Sequence, residues 1–162
     1  MSTSEQILNL LPDFDGISLD EVQQASLMRR KDCKYLFPIS EIPQVLEDVR
    51  KEYRILDIEG KRSQNYQTLY YDTYDLDMYH MHHRGKVNRH KIRFRKYDSS
   101  DAVFFEVKKK DAKGVTVKNR IRSLNNEASI LSREEEFLSE FTPFVGNHII
   151  PVLENKFNRI TL

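Results

Sequence analysis

One cysteine, Cys33, is all the thiol chemistry in this sequence, so no intrachain disulfide can form and a disulfide-stapled secreted scaffold is excluded. A reducing compartment follows, and the expected location is cytoplasmic. Glycine is as scarce: five are scattered along the chain, and none falls in the GxxxxGK[ST] spacing that cradles phosphate. There is no apolar stretch of about eighteen residues to span a bilayer, and no cationic start followed by an apolar stretch to act as a signal peptide. No transmembrane segment is expected. Net charge is almost absent, at +1, so the total identifies no partner. No nucleophile stands beside a base, since Cys33 falls on the apolar side of its segment, where thiols are usually inert packing.

What is present is charge of one sign in one region. Residues 1–27 carry Glu5, Asp13, Asp15, Asp20 and Glu21 with no Lys or Arg, whereas residues 84–122 hold about ten more basic than acidic side chains. Such asymmetry suits a localised electrostatic site better than a uniformly basic nucleic-acid coat, and no DNA partner is expected. Within that region the charges alternate: Arg89, Lys91, Arg93, Arg95, then Glu106, Lys108, Lys110, then Lys118, Arg120, Arg122. Successive side chains of a strand point to opposite faces, so each run puts its charge on one face. The intervening Ile92, Phe94, Val103, Phe105, Val107, Val117 and Ile121 supply an apolar second face.

The chain has the length of one domain with a real core. Ser18 to Glu21 reads as a capping box opening a short helix, after seventeen residues that read as loosely ordered. Leu27 to Phe37 alternates as a strand that Pro38 ends, with Arg30, Asp32 and Lys34 on one face and Cys33, Tyr35 and Phe37 on the other. Ser40 caps a helix running to Tyr53, and Ile55 to Ile58 reads as a short strand. Tyr66 to Thr73 is a further strand, followed by a turn or helical piece through Tyr79 and a loop around Gly85. Strands Val87–Tyr97, Ala102–Lys110 and Val115–Ser123 form a meander. Ser132 to Glu135 opens a helix bearing Phe137, Leu138 and Phe141, and the last residues read as a helical turn and a strand at Arg159–Leu162. The class is α+β with an antiparallel sheet and flanking helices.

With Arg30 and Lys34 added, the strands form a lattice of cations roughly seven ångströms apart along each strand and about five across strands. Bidentate guanidinium groups and movable ammonium groups together suit a chain of phosphoryl groups. A solvated charged sheet face is the ordinary reading of one such strand; four strands in the same phase favour a polyanion site. Asp32 and Glu106 share the face and have two readings, ligands of a divalent metal or ion-pair partners of the cations, with the second favoured. His80, Met81, His82, His83 lack the cysteines or HExxH spacing of zinc sites and read as a loop of imidazoles, one of which aids phosphate binding. The tyrosines at 66, 70, 71, 74 and 79 suit base stacking as well as core packing, which keeps a single-stranded RNA-binding sheet in view.

The order RxDxKY at Arg30–Tyr35, LYYDT at Leu69–Thr73, Tyr79, His82 and Gly85, RxKxRxRxY at Arg89–Tyr97, FFEVKKK at Phe104–Lys110 and KxR at Lys118–Arg120 resembles the VTC domain of polyphosphate polymerases. That family is a branch of the triphosphate tunnel enzymes related to CYTH proteins. The resemblance covers residues 28–162 and leaves 1–27 as an N-terminal extension with a short helix. It implies a closed antiparallel tunnel lined by cations, with Lys34, Arg93, Arg95, Lys108 and Lys118 on the phosphates of a nucleoside triphosphate or the polymer. Lys34, Arg93, Arg95 and Lys108 are the implied catalytic set. Arg89, Lys91 and Arg120 are implied neighbours of the phosphates; Arg30, Lys110 and His82 join them as candidate phosphate contacts from the charge pattern, and Asp32 and Glu106, the carboxylates of that face, are the candidate metal ligands. The implied reaction moves the γ-phosphoryl of ATP onto polyphosphate with a divalent metal, Mn or Mg. Members run on for several strands after the segment that resembles Asn155–Leu162, so a partial tunnel is expected, with open sheet edges that favour a homodimer. A non-catalytic polyphosphate or inositol-phosphate sensor is the alternative of a different class.

Overall fold

The computed structural model describes residues 1–24, 33–98, 102–124, 129–145 and 148–162. The chain divides into two packed units, Met1–Gln64 with Asn158–Leu162, and Asn65–Phe157. Each unit has its own apolar cluster.

In the first unit, helix α1 spans Thr3–Leu10 and is opened by a capping box. The Ser2 hydroxyl accepts from the Glu5 amide at 3.3 Å, and the Glu5 carboxylate accepts from the Ser2 N–H at 2.6 Å. Ile7, Leu11 and Phe14 are buried against Leu46 and Ile55, with Leu10 packed at the margin. The expectation of a loosely ordered start is therefore overturned: the apolar residues at helical spacing bury one face. The Ser18–Glu21 box forms as expected at the start of α2 (Leu19–Gln24). Strand β1 (Gly16–Ile17) pairs in parallel with β2 (Ile55–Leu56). Helix α3 is Ile42–Val49, entered through a 3-10 turn and shorter than the apolar spacing predicts. The Arg62 guanidinium ties the entry together, donating to the carbonyls of Leu11, Pro12 and Phe14 and to Asp57.

The strand predicted at Leu27–Phe37 does not form in its described part. Residues 33–38 have no regular structure, Cys33 is exposed, and Tyr35 and Leu36 are almost fully so. Alternation makes a strand only where a neighbour can complete its hydrogen bonds, and residues 33–38 pair with no strand.

The second unit is built on a five-stranded sheet of order β6-β5-β4-β3-β7, where β3 is Gln64–Asp72, β4 Arg89–Tyr97, β5 Ala102–Lys110, β6 Thr116–Arg122 and β7 Ile150–Arg159. The meander β3–β6 is antiparallel. Asp111 shapes the turn between β5 and β6 by accepting from the Lys113 and Val115 amides, both at 2.9 Å, with Gly114 at φ +80°. The predicted C-terminal strand lies earlier than expected, at β7. Pro151 is tolerated there because β7 is an edge strand with no ladder to interrupt on one side. The α+β class holds, but the described strands leave β6 and β7 as edges and do not close a barrel. No helix among the described residues is long and apolar enough to cross a membrane.

One sheet face packs Tyr71, Ile92, Phe94, Val103, Phe105 and Val107 against Phe137 and Leu138 of α5 (Ser132–Phe141). The Ser132–Glu135 box is replaced: Leu131 takes the cap position, and the buried Glu134 carboxylate accepts from the Leu131 N–H at 3.3 Å and the Ser123 hydroxyl at 2.8 Å. Where β3 ends, Asp72 takes hold of α4 (Asp77–His83) by accepting from the amides of Thr73, Met78 and Tyr79, each at 2.8 Å. The Thr73 hydroxyl accepts from the Asp77 amide at 3.0 Å. The histidines expected in a loop are thus helical, because these acceptors satisfy amides that open the helix. Replacing Asp72 with alanine should lower stability by about 2 kcal/mol, read from the urea midpoint. An unchanged midpoint would mean that α4 is held by other contacts.

Candidate anion-binding face

The face opposite α5 is defined by strand parity and register. Across β4, β5 and β6, Lys91 stands beside Lys108, which stands beside Lys118; one pleat further, Arg93 stands beside Glu106, and Glu106 beside Arg120. The next pleat aligns Arg95, Phe104 and Arg122, and the other end pairs Arg89 with Lys110. From β3, Tyr70 lies beside Arg93 and Thr68 beside Arg95. Among the described residues of β4, β5 and β6, nine cations therefore share the face with a single carboxylate, Glu106.

That carboxylate is fully buried. Its Oε2 accepts from Arg93 Nε at 2.7 Å and lies 2.7 Å from Arg93 Nη2, while the Lys118 ammonium reaches Oε1 as a charge contact. Burial alone would push its pKa up; the Lys118 contact and the Arg93 charge and hydrogen bonds outweigh burial and hold it below the usual carboxylate value of 4.5. Arg93 is itself buried, and its Nη1 donates to Tyr70 Oη at 3.1 Å. Burial opposes its charge, but Glu106 and Tyr70 more than restore it.

Lys108 is in the opposite situation. Half-buried in the lysine row, it is pushed below the usual lysine value by burial and by the charges of Arg93 and Lys118, with only partial relief from Glu106. An ammonium so placed gains from an arriving anion. The guanidinium groups are also seated on rings: Arg120 over Phe104 at 4.7 Å, Arg95 over Tyr66 at 5.4 Å and over Phe157 at 5.9 Å, and Arg93 over Tyr70 at 5.8 Å. Arg95 Nε also donates to Thr68 at 3.3 Å. These contacts hold the guanidinium planes in fixed orientations.

The structure thus brings together Arg89, Lys91, Arg93, Arg95, Glu106, Lys108, Lys110, Lys118 and Arg120. His82 joins at the margin from α4, its Nε2 3.3 Å from Lys91 Nζ. Lys34 lies in the irregular segment and in no strand, and Arg30 and Asp32 fall outside the described residues. Sequence reasoning missed Tyr70, Thr68 and Phe157 as partners of the arginines; the parity of β3 could have placed Thr68 and Tyr70, but Phe157 depends on strand order. His90, on the core face, has its ring edge-on to Phe144 and is held below the usual histidine value by burial and by the Lys109 charge. Among the described residues no three His, Cys, Asp or Glu side chains gather to hold a metal.

No curated protein matches the sequence. Among solved structures, a candidate adenylate cyclase from Vibrio parahaemolyticus is similar at 9% identity and a TM-score of 0.38, over 59% of this chain and 42% of that one. The PH1819 protein from Pyrococcus horikoshii is similar at 17% identity and a TM-score of 0.40, over 72% of this chain and 56% of that one. The chain spans about half the length of these two proteins. The VTC domain family model matches residues 29–162, a span that holds every strand of the cationic sheet. By that match the chain belongs to the VTC domain family.

Proposed function

We propose that the cationic face binds the phosphates of ATP, another triphosphate or polyphosphate as one wall of a tunnel, and that the completed tunnel transfers the γ-phosphoryl of ATP to polyphosphate. The observation that carries this reading is a lattice of nine cations, running from the buried Arg93 to the exposed Lys118, Arg120 and Arg122, around one carboxylate that is already matched by Arg93 and Lys118. Such a lattice carries a standing repulsion that a polyanion relieves. The chemistry asks little else of the protein. The attacking group is a phosphate oxyanion, so no strong base is needed, and the work is alignment of two repelling chains and neutralisation of shifting charge. Glu106 fixes Arg93 and Lys118, Thr68 and the rings fix Arg95, and Lys108 is left to meet phosphate.

VTC and CYTH-like families generally use divalent metals. The described residues do not fit one. Glu106 already has Arg93 on one oxygen and Lys118 on the other, and it sits among cations. Mn or Mg needs several oxygen ligands together. No step is assigned to a metal on this wall. Of the tyrosines that suited RNA stacking, Tyr66 and Tyr70 carry guanidinium groups, which favours phosphate over bases on this face. A sensor that binds without turnover shares the face and is separated by assay of product.

Tripolyphosphate titrated at low salt should bind, and its affinity should fall as salt screens the face. Arg95→Ala, which leaves the Glu106 pairs intact, should weaken it about tenfold, near 1.4 kcal/mol; unchanged affinity would sink the reading. Lys108→Met should weaken binding yet leave the ligand-free protein as stable as before or more so, because it removes an ammonium disfavoured in the fold. Loss of both stability and binding would instead mark Lys108 as a structural residue.

Glu106→Gln should destabilise the protein by about 3 kcal/mol, since it strands Arg93. The Glu106 pKa is lowered on folding, so its stabilisation is present above the unfolded carboxylate value near 4.5 and is lost as pH falls through the folded value. Urea unfolding from pH 6 downward should show that loss in the parent protein and a shallower loss in Glu106→Gln. Parallel curves for the two would refute the pairing.

A further inference from the structure

A cavity of about 420 Å³ opens at the end of the sheet where β3 leaves and β4 enters, between α4 and β7. Its lining is chemically unlike the face beside it. Tyr70, Leu76, Tyr79 and Leu153 give it apolar and aromatic walls, and His82 and Lys91 stand on the side nearest the cations. Asp72 also borders it, but each of its carboxylate oxygens is committed to backbone amides of α4, which satisfies the charge in place.

A bare polyphosphate has no use for such walls. Apolar surface gains nothing from an anion, and a phosphate placed there would give up water without a partner. The volume falls in the range that holds small organic ligands. Lys91 belongs to both places: it borders the cavity, and it begins the lysine row that continues through Lys108 to Lys118. Along β4, Lys91, Arg93 and Arg95 are each about 7 Å apart, a wider step than that between neighbouring phosphates, so their long side chains reach one short phosphate chain by leaning together. Tyr79 is more than half exposed, and its ring is held nearly parallel to that of His83, at 12° and 6.1 Å, so it presents a flat surface of fixed orientation.

We infer that this cavity takes the nucleoside of a nucleoside triphosphate whose phosphates run from Lys91 along the cationic face, so that the chain distinguishes a nucleotide from an inorganic polyphosphate at Tyr79, Leu153 and their neighbours. The inference rests on the triphosphate reading above and extends it to the organic end of the ligand. Base and ribose lie against aromatic and aliphatic walls, and the α-phosphate passes Lys91.

The test is a pair of calorimetric titrations at low salt, ATP and inorganic tripolyphosphate, on the parent protein and on Tyr79→Ala and Leu153→Gln. Both substitutions are electrically neutral, and Leu153 is an exposed position on an edge strand, so that variant keeps the fold should Tyr79→Ala loosen α4. ATP affinity should fall about tenfold in each variant, the scale of one lost base contact, with tripolyphosphate affinity changed by less than about twofold. Equal losses for the two ligands, or no loss for either, would overturn the nucleoside placement while leaving the phosphate face standing. Failure of the parent protein to bind either ligand would remove the triphosphate reading and this inference with it.

Discussion

A carboxylate with no solvent contact cannot stay ionised unless cations are built around it, and Glu106 makes the second unit obey that rule. Two side chains are tied to it, Arg93 on the strand to one side and Lys118 on the strand to the other. Each is thereby held short of free rotation. The same three groups set the electrostatics of their neighbours, for Lys108 is pressed by Arg93 and Lys118 more than it is soothed by Glu106. Packing on the other face keeps this arrangement in register. Phe94 and Phe105, directly paired across β4 and β5, have ring centroids 4.5 Å apart and are almost fully buried. A slip of one residue would send phenylalanine to the cations and glutamate into the core.

The aromatic residues do double service on the opposite face. Each ring that bears a guanidinium group narrows the positions that group can adopt, and Arg suits this role where Lys would not, because a planar group can lie flat on a ring. Lysine fills the adjacent row, Lys91, Lys108 and Lys118. The face thus combines fixed planar donors with mobile point charges. Asp72 and Thr73 organise the end of that face, since the hold on α4 places His82 beside Lys91.

Much of this was legible in the sequence, and for a local reason. Period-two alternation in residues 89–122 fixes both faces of three strands without knowledge of their partners, and Ala102–Lys110 was bounded correctly because turn residues flank it. The ion triad was only half visible. Glu106 could be assigned to the cationic face, but its choice of Arg93 and Lys118 depends on the register between strands. Elements that depend on distant partners were misread. The alternation at 27–37 promised a strand, yet residues 33–38 have no ladder. The last strand was expected at Arg159–Leu162 and lies at Ile150–Arg159, because its place depends on pairing at the sheet edge, which sequence could not reveal. The first helix was overlooked although Ser2 and Glu5 repeat the box recognised at Ser18 and Glu21.

The two borders of the sheet are chemically unequal. β6 carries Lys118, Arg120 and Arg122 on one side of its pleat, so a second β6 laid against it would set cation beside cation. Growth from that border calls for an incoming strand with carboxylates, or for phosphate between the strands. β7 offers Glu154 and Lys156, already paired at 3.3 Å, together with exposed Val152 and Phe157. The two margins of the described sheet therefore differ in kind: one is a line of like charges, and the other a neutral pair among apolar side chains.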